Sequence, residues 1–216
     1  MPYFLHNLEF WDRLCYNAPM TSKKTVFVIP GFKHKPQNKA YKQIAKMLKS
    51  EGYSPILVNI PWRQTTISEN TKFFLKKYKK INSRKKYILG FSFGAMIAFV
   101  ASTKVSVSGL ILCSLSPYFK EDLLKVNSAL FSSLAAERYQ DFSKLHCATL
   151  AKQIKAKQIL MLYGAKETKS LRKRVTEAFD QISCAHKYLI PIKKAEHNIG
   201  DKRYLNKIHQ AAKELN

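Results

Sequence analysis

The chain has 216 residues, a length that suits one α/β domain built around a single core. Its apolar fraction of 46% is that of a folded globular protein and excludes wholesale disorder. Lysine and arginine number 38 against 14 aspartates and glutamates, a formal charge of +24 that raises nucleic acid, an anionic membrane or an anionic substrate as partners.

The excess is mostly lysine, spread along the chain and set on polar helix faces, as at Lys72, Lys76, Lys77, Lys79 and Lys80. Arginine is the better phosphate reader, so the pattern reads first as a solvated surface and nucleic acid is not the expected partner. The longest apolar stretches, around Ile97 and over 109–115, are too short for a transmembrane segment. Residues 1–24 carry Glu9, Asp12 and Arg13 in their apolar part, unlike a secretory leader. Cys15, Cys113, Cys147 and Cys184 are scattered without a C-x-x-C, as expected for reduced thiols in a cytoplasmic protein.

Strand and helix signals then alternate. Thr25–Pro30 is a β-rich apolar run, and Tyr41, Ile44 and Leu48 recur at helical spacing until Gly52. Pro55–Ile60 reads as a second strand ended by Pro61. Thr66 with Glu69 forms a capping box ahead of the stripe Ile67, Phe74, Tyr78 and Ile81. Tyr87–Phe91 is the third strand, and an apolar helix follows Ser92. Gly109–Ser114 is the fourth strand, and helices are expected near 120–137 and 142–154. Gln158–Tyr163 and Lys187–Ile192 complete six strands. Between them lies the stripe Leu171, Val175, Phe179 and Ile182; after them comes Tyr204, Ile208, Ala211 and Leu215.

Six near-continuous apolar strands separated by amphipathic helices predict an α/β/α sandwich with a mostly parallel six-stranded sheet. No repeat or long linker divides the chain. Residues 1–216 are expected to form one domain, with 118–156 as a possible small lid.

In such sheets ligands bind at the carboxyl ends of the strands, and the reactive residue types cluster there. Gly90-Phe91-Ser92-Phe93-Gly94 sits between the third strand and its helix, the setting in which G-x-S-x-G becomes a nucleophile elbow. Gly90 and Gly94 let strand and helix approach, and the helix N-terminus offers free N–H groups to a developing oxyanion. After the first strand, Pro30-Gly31-Phe32 places the Phe32 N–H to make a two-donor oxyanion hole with that of Phe93. After the fifth, Gly164-Ala165-Lys166-Glu167 supplies an acid, Glu167, with Asp122 and its neighbour Glu121 as fallbacks. After the sixth, Glu196-His197-Asn198 supplies a base, His197, for which His34 is the competitor. Phe91, Phe93, Trp62, Tyr118 and Phe119 are candidates for an apolar acyl pocket, with burial in the core as the alternative.

The order Ser92, Glu167, His197, with the elbow GFSFG, the loop PGF, the acid turn GAKE and the histidine turn EHN, resembles the α/β-hydrolase superfamily over about residues 25–215. The sheet matches that family's with most of the N-terminal hairpin missing. The usual His-Gly ahead of the oxyanion donor is Pro30-Gly31 here, and the acid is Glu where Asp is commoner. The resemblance implies a serine hydrolase acting on an ester, thioester or amide of a small acyl substrate, anionic if the charge is functional, with no metal or organic cofactor required. Two alternatives remain open at the level of sequence: an acyltransferase using the same three residues, and a non-catalytic member whose basic surface holds nucleic acid or an anionic membrane.

Overall fold

The computed structural model describes residues 24–63, 65–123 and 136–215. Cys15, the place of any N-terminal hairpin, and much of the helix expected near 120–137 therefore lie outside the described residues. Six strands form one sheet: β1 (Lys24–Ile29), β2 (Ser54–Leu57), β3 (Lys85–Phe91), β4 (Gly109–Cys113), β5 (Ile159–Gly164) and β6 (Lys187–Ile192). Their order is β2-β1-β3-β4-β5-β6, and every pair is parallel. The two prolines within strands, Pro55 and Pro191, fall on the two edge strands, where a missing N–H costs no ladder bond. β2 is shorter than its apolar run suggests. Val58 N–H still reaches Val28 O at 2.9 Å, and the chain then leaves the sheet ahead of Pro61.

Eight helices cover the sheet among the described residues: α1 (Lys39–Ser50), α2 (Ile67–Lys80), α3 (Phe93–Ser102), α4 (Lys120–Leu123), α5 (Ala136–Lys144), α6 (Cys147–Lys152), α7 (Lys169–Gln181) and α8 (Lys202–Glu214). Local chemistry sets their ends. Thr66 and Glu69 make the reciprocal capping box of α2. α1 ends in a Schellman turn: Gly52 adopts φ +79° and donates to Lys49 O, while Tyr53 N–H returns to Leu48 O. In place of one helix over 142–154 there are two, α5 and α6. Between them Leu145 N–H turns back to Phe142 O, and the Glu121 carboxylate accepts the Cys147 and Ala148 N–H groups at the start of α6.

Both sheet faces are covered. Tyr41, Ile44 and Leu48 of α1 pack with Tyr204, Ile208 and Ala211 of α8 over one face. The other carries α2, α3 and α5–α7, with every residue of α3 buried. Phe27, Phe74 and Tyr78 form an aromatic cluster there, with ring centroids 5.0–5.8 Å apart. A buried phenylalanine of this kind contributes about 3–5 kcal/mol relative to alanine. Such a sheet carries its loops rigidly, and all those that bear the candidate site leave its carboxyl edge.

Candidate functional site

The centre of the site is the turn from β3 into α3. Ser92 has φ 57° and ψ −120°, a left-handed conformation that costs a non-glycine residue about 1–3 kcal/mol. Its N–H is anchored on Cys113 O at 2.9 Å. The flanking glycines are required by space. A β-carbon on Gly90 would lie 2.6 Å from the Gly94 carbonyl carbon and 2.7 Å from Ala95 Cα. One on Gly94 would collide with the carbonyl oxygens of Ile29 and Pro30, where β1 exits. The first turn of α3 is thus wedged against the end of β1, and Ser92 is held at the apex.

His197 Nε2 lies 3.1 Å from Ser92 Oγ, and its Nδ1 lies 3.0 Å from Glu167 Oε1. The three residues come from the ends of β3, β5 and β6. The imidazole is 42% exposed, whereas the Glu167 side chain is fully buried. The Phe91 ring, centroid 4.8 Å from that of the imidazole, packs against His197 from within the core. The carboxylate acts from a dry, fixed position while the imidazole stays open to an incoming molecule.

Asp122 is not brought to the imidazole. Its carboxylate takes a bidentate pair of bonds from buried Arg174, at 2.6–3.0 Å, and accepts the Phe119 N–H at 3.0 Å. Glu121 is occupied at the start of α6. His34 is also engaged elsewhere. Tyr41 Oη accepts the Gly31 N–H at 2.9 Å and shares a hydrogen bond with His34 Nδ1, also at 2.9 Å. Burial, and then the nearby His197, hold the His34 pKa below its ordinary value.

The Phe32 and Phe93 N–H groups donate no hydrogen bond among the described residues. The rings of Phe32 and Phe93 meet at 5.2 Å, and Trp62, Tyr118 and Phe142 join them. Of the five aromatics expected to line a pocket, Phe91, Phe93 and Phe119 are buried core residues at 1%, 8% and 0% exposure, with Phe91 on the α1/α8 side and Phe119 against Phe99, while Trp62 and Tyr118 are partly buried.

Four polar residues reach the site unforeseen. Ser116 Oγ is 3.1 Å from Ser92 Oγ; Ser114 Oγ and Tyr204 Oη both bond Glu167 Oε1; and Tyr41 holds the loop after β1. Ser114 and Ser116 follow β4 at the carboxyl edge, where the ligand-edge rule alone would have found them. Tyr41 and Tyr204 look like apolar-stripe positions, and nothing in the sequence marks their hydroxyls. Among the described residues, no group of three His, Cys, Asp or Glu side chains is placed to hold a metal ion. Cys113, Cys147 and Cys184 are free thiols. No described helix is long and apolar enough to cross a membrane.

No protein-family model matches the chain, and no curated protein matches it in sequence. Solved structures do match. Est1E from Butyrivibrio proteoclasticus, solved with ferulic acid bound, superimposes with a TM-score of 0.74 at 15% identity, covering 92% of this chain and 89% of that one. A monoacylglycerol lipase from Paleococcus ferrophilus gives 0.69 at 15% identity over 88% and 92% of the two chains. An esterase from Pyrococcus furiosus gives 0.67 at 17% identity over 90% and 82%. With the six-stranded parallel sheet and the strained serine turn, these similarities make the fold that of the α/β-hydrolases.

Proposed function

We propose that the protein is a serine hydrolase that cleaves a carboxylic ester or thioester through an acyl-enzyme on Ser92. The observation that carries this reading is the continuous hydrogen-bond path from Ser92 Oγ through His197 to the buried Glu167 carboxylate. Ser92 Oγ–H donates to His197 Nε2, and His197 Nδ1–H donates to Glu167 Oε1. As Oγ attacks the carbonyl carbon, its proton passes to Nε2, and the carboxylate stabilises the imidazolium. The carbonyl oxygen becomes an oxyanion, for which the Phe32 and Phe93 N–H groups are the donors; one such donor is worth about 3 kcal/mol of barrier. Collapse expels the alcohol or thiol with the proton from Nε2. Water, activated by the same imidazole, then releases the acid and restores Ser92. Ser116 Oγ–H supports the resting nucleophile by donating to Ser92 Oγ.

Ester cleavage is also what the names of the lipase and the esterase among the structural neighbours state for those proteins. The test is labelling with a fluorophosphonate probe, together with hydrolysis of p-nitrophenyl esters of graded chain length. The wild type takes one label and turns over ester, and Ser92→Ala does neither. A folded wild type that takes no label and hydrolyses no ester would overturn the proposal.

A further inference from the structure

Glu167 is one methylene longer than the aspartate usual at its position, and it meets His197 through a single oxygen. Oε1 lies 3.0 Å from His197 Nδ1, 2.7 Å from Ser114 Oγ and 3.0 Å from Tyr204 Oη. Oε2 is buried and has no hydrogen-bond partner. We propose that Ser114 and Tyr204 are positioning residues, a hydroxyl clamp that selects which carboxylate oxygen faces His197 and holds it there. The proposal rests on the hydrolase reading above, in which that oxygen orients the imidazole.

The clamp is a chain and not two separate bonds. Ser114 Oγ and Tyr204 Oη stand 2.5 Å apart, with Oε1 closing the triangle. Two hydroxyl protons serve three oxygen–oxygen edges. One fills the short edge between the hydroxyls and the other is donated to Oε1, so the donation ends on the carboxylate and each link polarises the next. Both hydroxyls are anchored independently of the histidine. Ser114 is fully buried, sits at φ 52° and donates its N–H to Leu162 O at 2.7 Å. Tyr204 is fully buried on α8, its ring edge-on to Phe91 at 6.2 Å. Burial, and then the Glu167 charge, push the Tyr204 phenol well above its ordinary range, so it remains a donor at any working pH. The flexible Glu side chain is thereby restricted to one rotamer, with the imidazole at its open end. The other titratable groups facing this set are Cys113, whose thiol is raised by burial and by Glu167, and His34.

Tyr204→Phe keeps the ring and its packing and removes only the hydroxyl. Turnover is expected to fall about 10-fold with KM within about twofold, since the clamp touches no substrate. With the donation to Oε1 no longer strengthened by a second hydroxyl, the carboxylate holds the imidazolium more strongly. The midpoint of the acid limb of kcat/KM, and the NMR titration midpoint of the His197 ring protons, should both move to higher pH. Ser114→Ala should do the same, and the double variant should lose more than the sum of the singles, because in each single the remaining hydroxyl still donates to Oε1 and only the double leaves that oxygen without a hydroxyl donor. Superimposable pH profiles with strictly additive losses would mean ordinary packing and overturn the clamp. The NMR titration needs no turnover, so it decides the clamp even if the labelling experiment defeats the hydrolase reading.

Discussion

Gly164 and Ala195 are packed so closely that no side chain fits between them. A β-carbon on Gly164 would stand 2.5 Å from the Ala195 carbonyl oxygen and 2.8 Å from its carbon. The contact joins the loop that carries Glu167 to the loop that carries His197, and Lys166 N–H ties them again by donating to Ala195 O at 2.9 Å. Gly164→Ala must push the loops apart at a point two residues from His197. Overpacking of this kind costs about 1–3 kcal/mol of stability. Because the imidazole must stay within hydrogen-bond reach of two partners, the loss in ester turnover should exceed what the fall in folded fraction explains. Parallel measurement of the thermal midpoint and of kcat at a temperature where the variant is fully folded checks it.

Glu167 and Asp122 are both buried carboxylates beyond the sheet's carboxyl edge, and their partners differ: His197 for one and Arg174 for the other. Glu167→Gln is expected to lower kcat by roughly 10²–10⁴-fold, as loss of an orienting carboxylate does, with the fold intact. Asp122→Ala should leave turnover per folded molecule near wild type. It should also destabilise the protein by about 3 kcal/mol, because it takes from the Arg174 guanidinium, 4% exposed, its bidentate carboxylate partner and leaves it the more exposed Glu177 at 3.3 Å. An active Glu167→Gln beside a folded but inactive Asp122→Ala would move the acid assignment to Asp122.

Much of this was legible in the sequence because it follows from local rules. Apolar runs bounded by breakers locate the strands to within a few residues. The elbow glycines announce a turn that no other residue fits, and Thr66 with Glu69 announces a helix start. What was not legible depends on contacts between distant residues. The Ser114–Glu167 bond spans 53 residues and the Tyr204–Glu167 bond 37, and a tyrosine on a helix stripe looks the same whether its hydroxyl is employed or idle. The pairing of Asp122 with Arg174 was likewise not legible, because periodicity places Arg174 on a helix but not against a particular carboxylate.

Tyr41 and His34 make the loop after β1 sensitive to acid. The Tyr41 hydroxyl accepts the Gly31 N–H and is hydrogen-bonded to His34 Nδ1, so the imidazole is part of what holds this loop. The folded His34 pKa is lowered below the ordinary 6.5. Below pH 6.5 the unfolded chain therefore takes up this proton before the folded one does. The stability contributed by a neutral His34 is fully present above pH 6.5 and is lost as pH falls through 6.5 towards the folded value. His34→Gln should flatten the pH dependence of the thermal midpoint in that window. Tyr41→Phe leaves the Gly31 N–H buried and unpaired, at a cost of about 1–3 kcal/mol, and should also reduce turnover through the neighbouring Phe32 donor. A wild-type midpoint that is level from pH 7 to pH 5 would show that the loop does not depend on this proton.

The positive charge has a test at the site itself. The Phe32 ring, beside the elbow, carries Lys33 Nζ at 5.3 Å and the Arg138 guanidinium at 4.8 Å from its centroid. Arg138 is held by the carbonyls of Thr65 and Trp62, at 2.9 and 2.7 Å, so its charge is fixed and not swinging in solvent. Of the acids at this edge, Asp122 and Asp201 have their charge paired with the Arg174 and Arg203 guanidinium groups. An ester whose acyl group ends in a carboxylate should therefore be preferred over a neutral ester of equal length, through kcat/KM and chiefly through KM. Raising salt from 0.1 to 1 M shortens the Debye length from about 10 to about 3 Å. That change should erase the preference while leaving hydrolysis of the neutral ester unaffected. Lys33→Ala should remove part of it at low salt. Equal rates for the two esters at low ionic strength would assign the +24 charge to solvation of the surface, with no part in choosing the substrate.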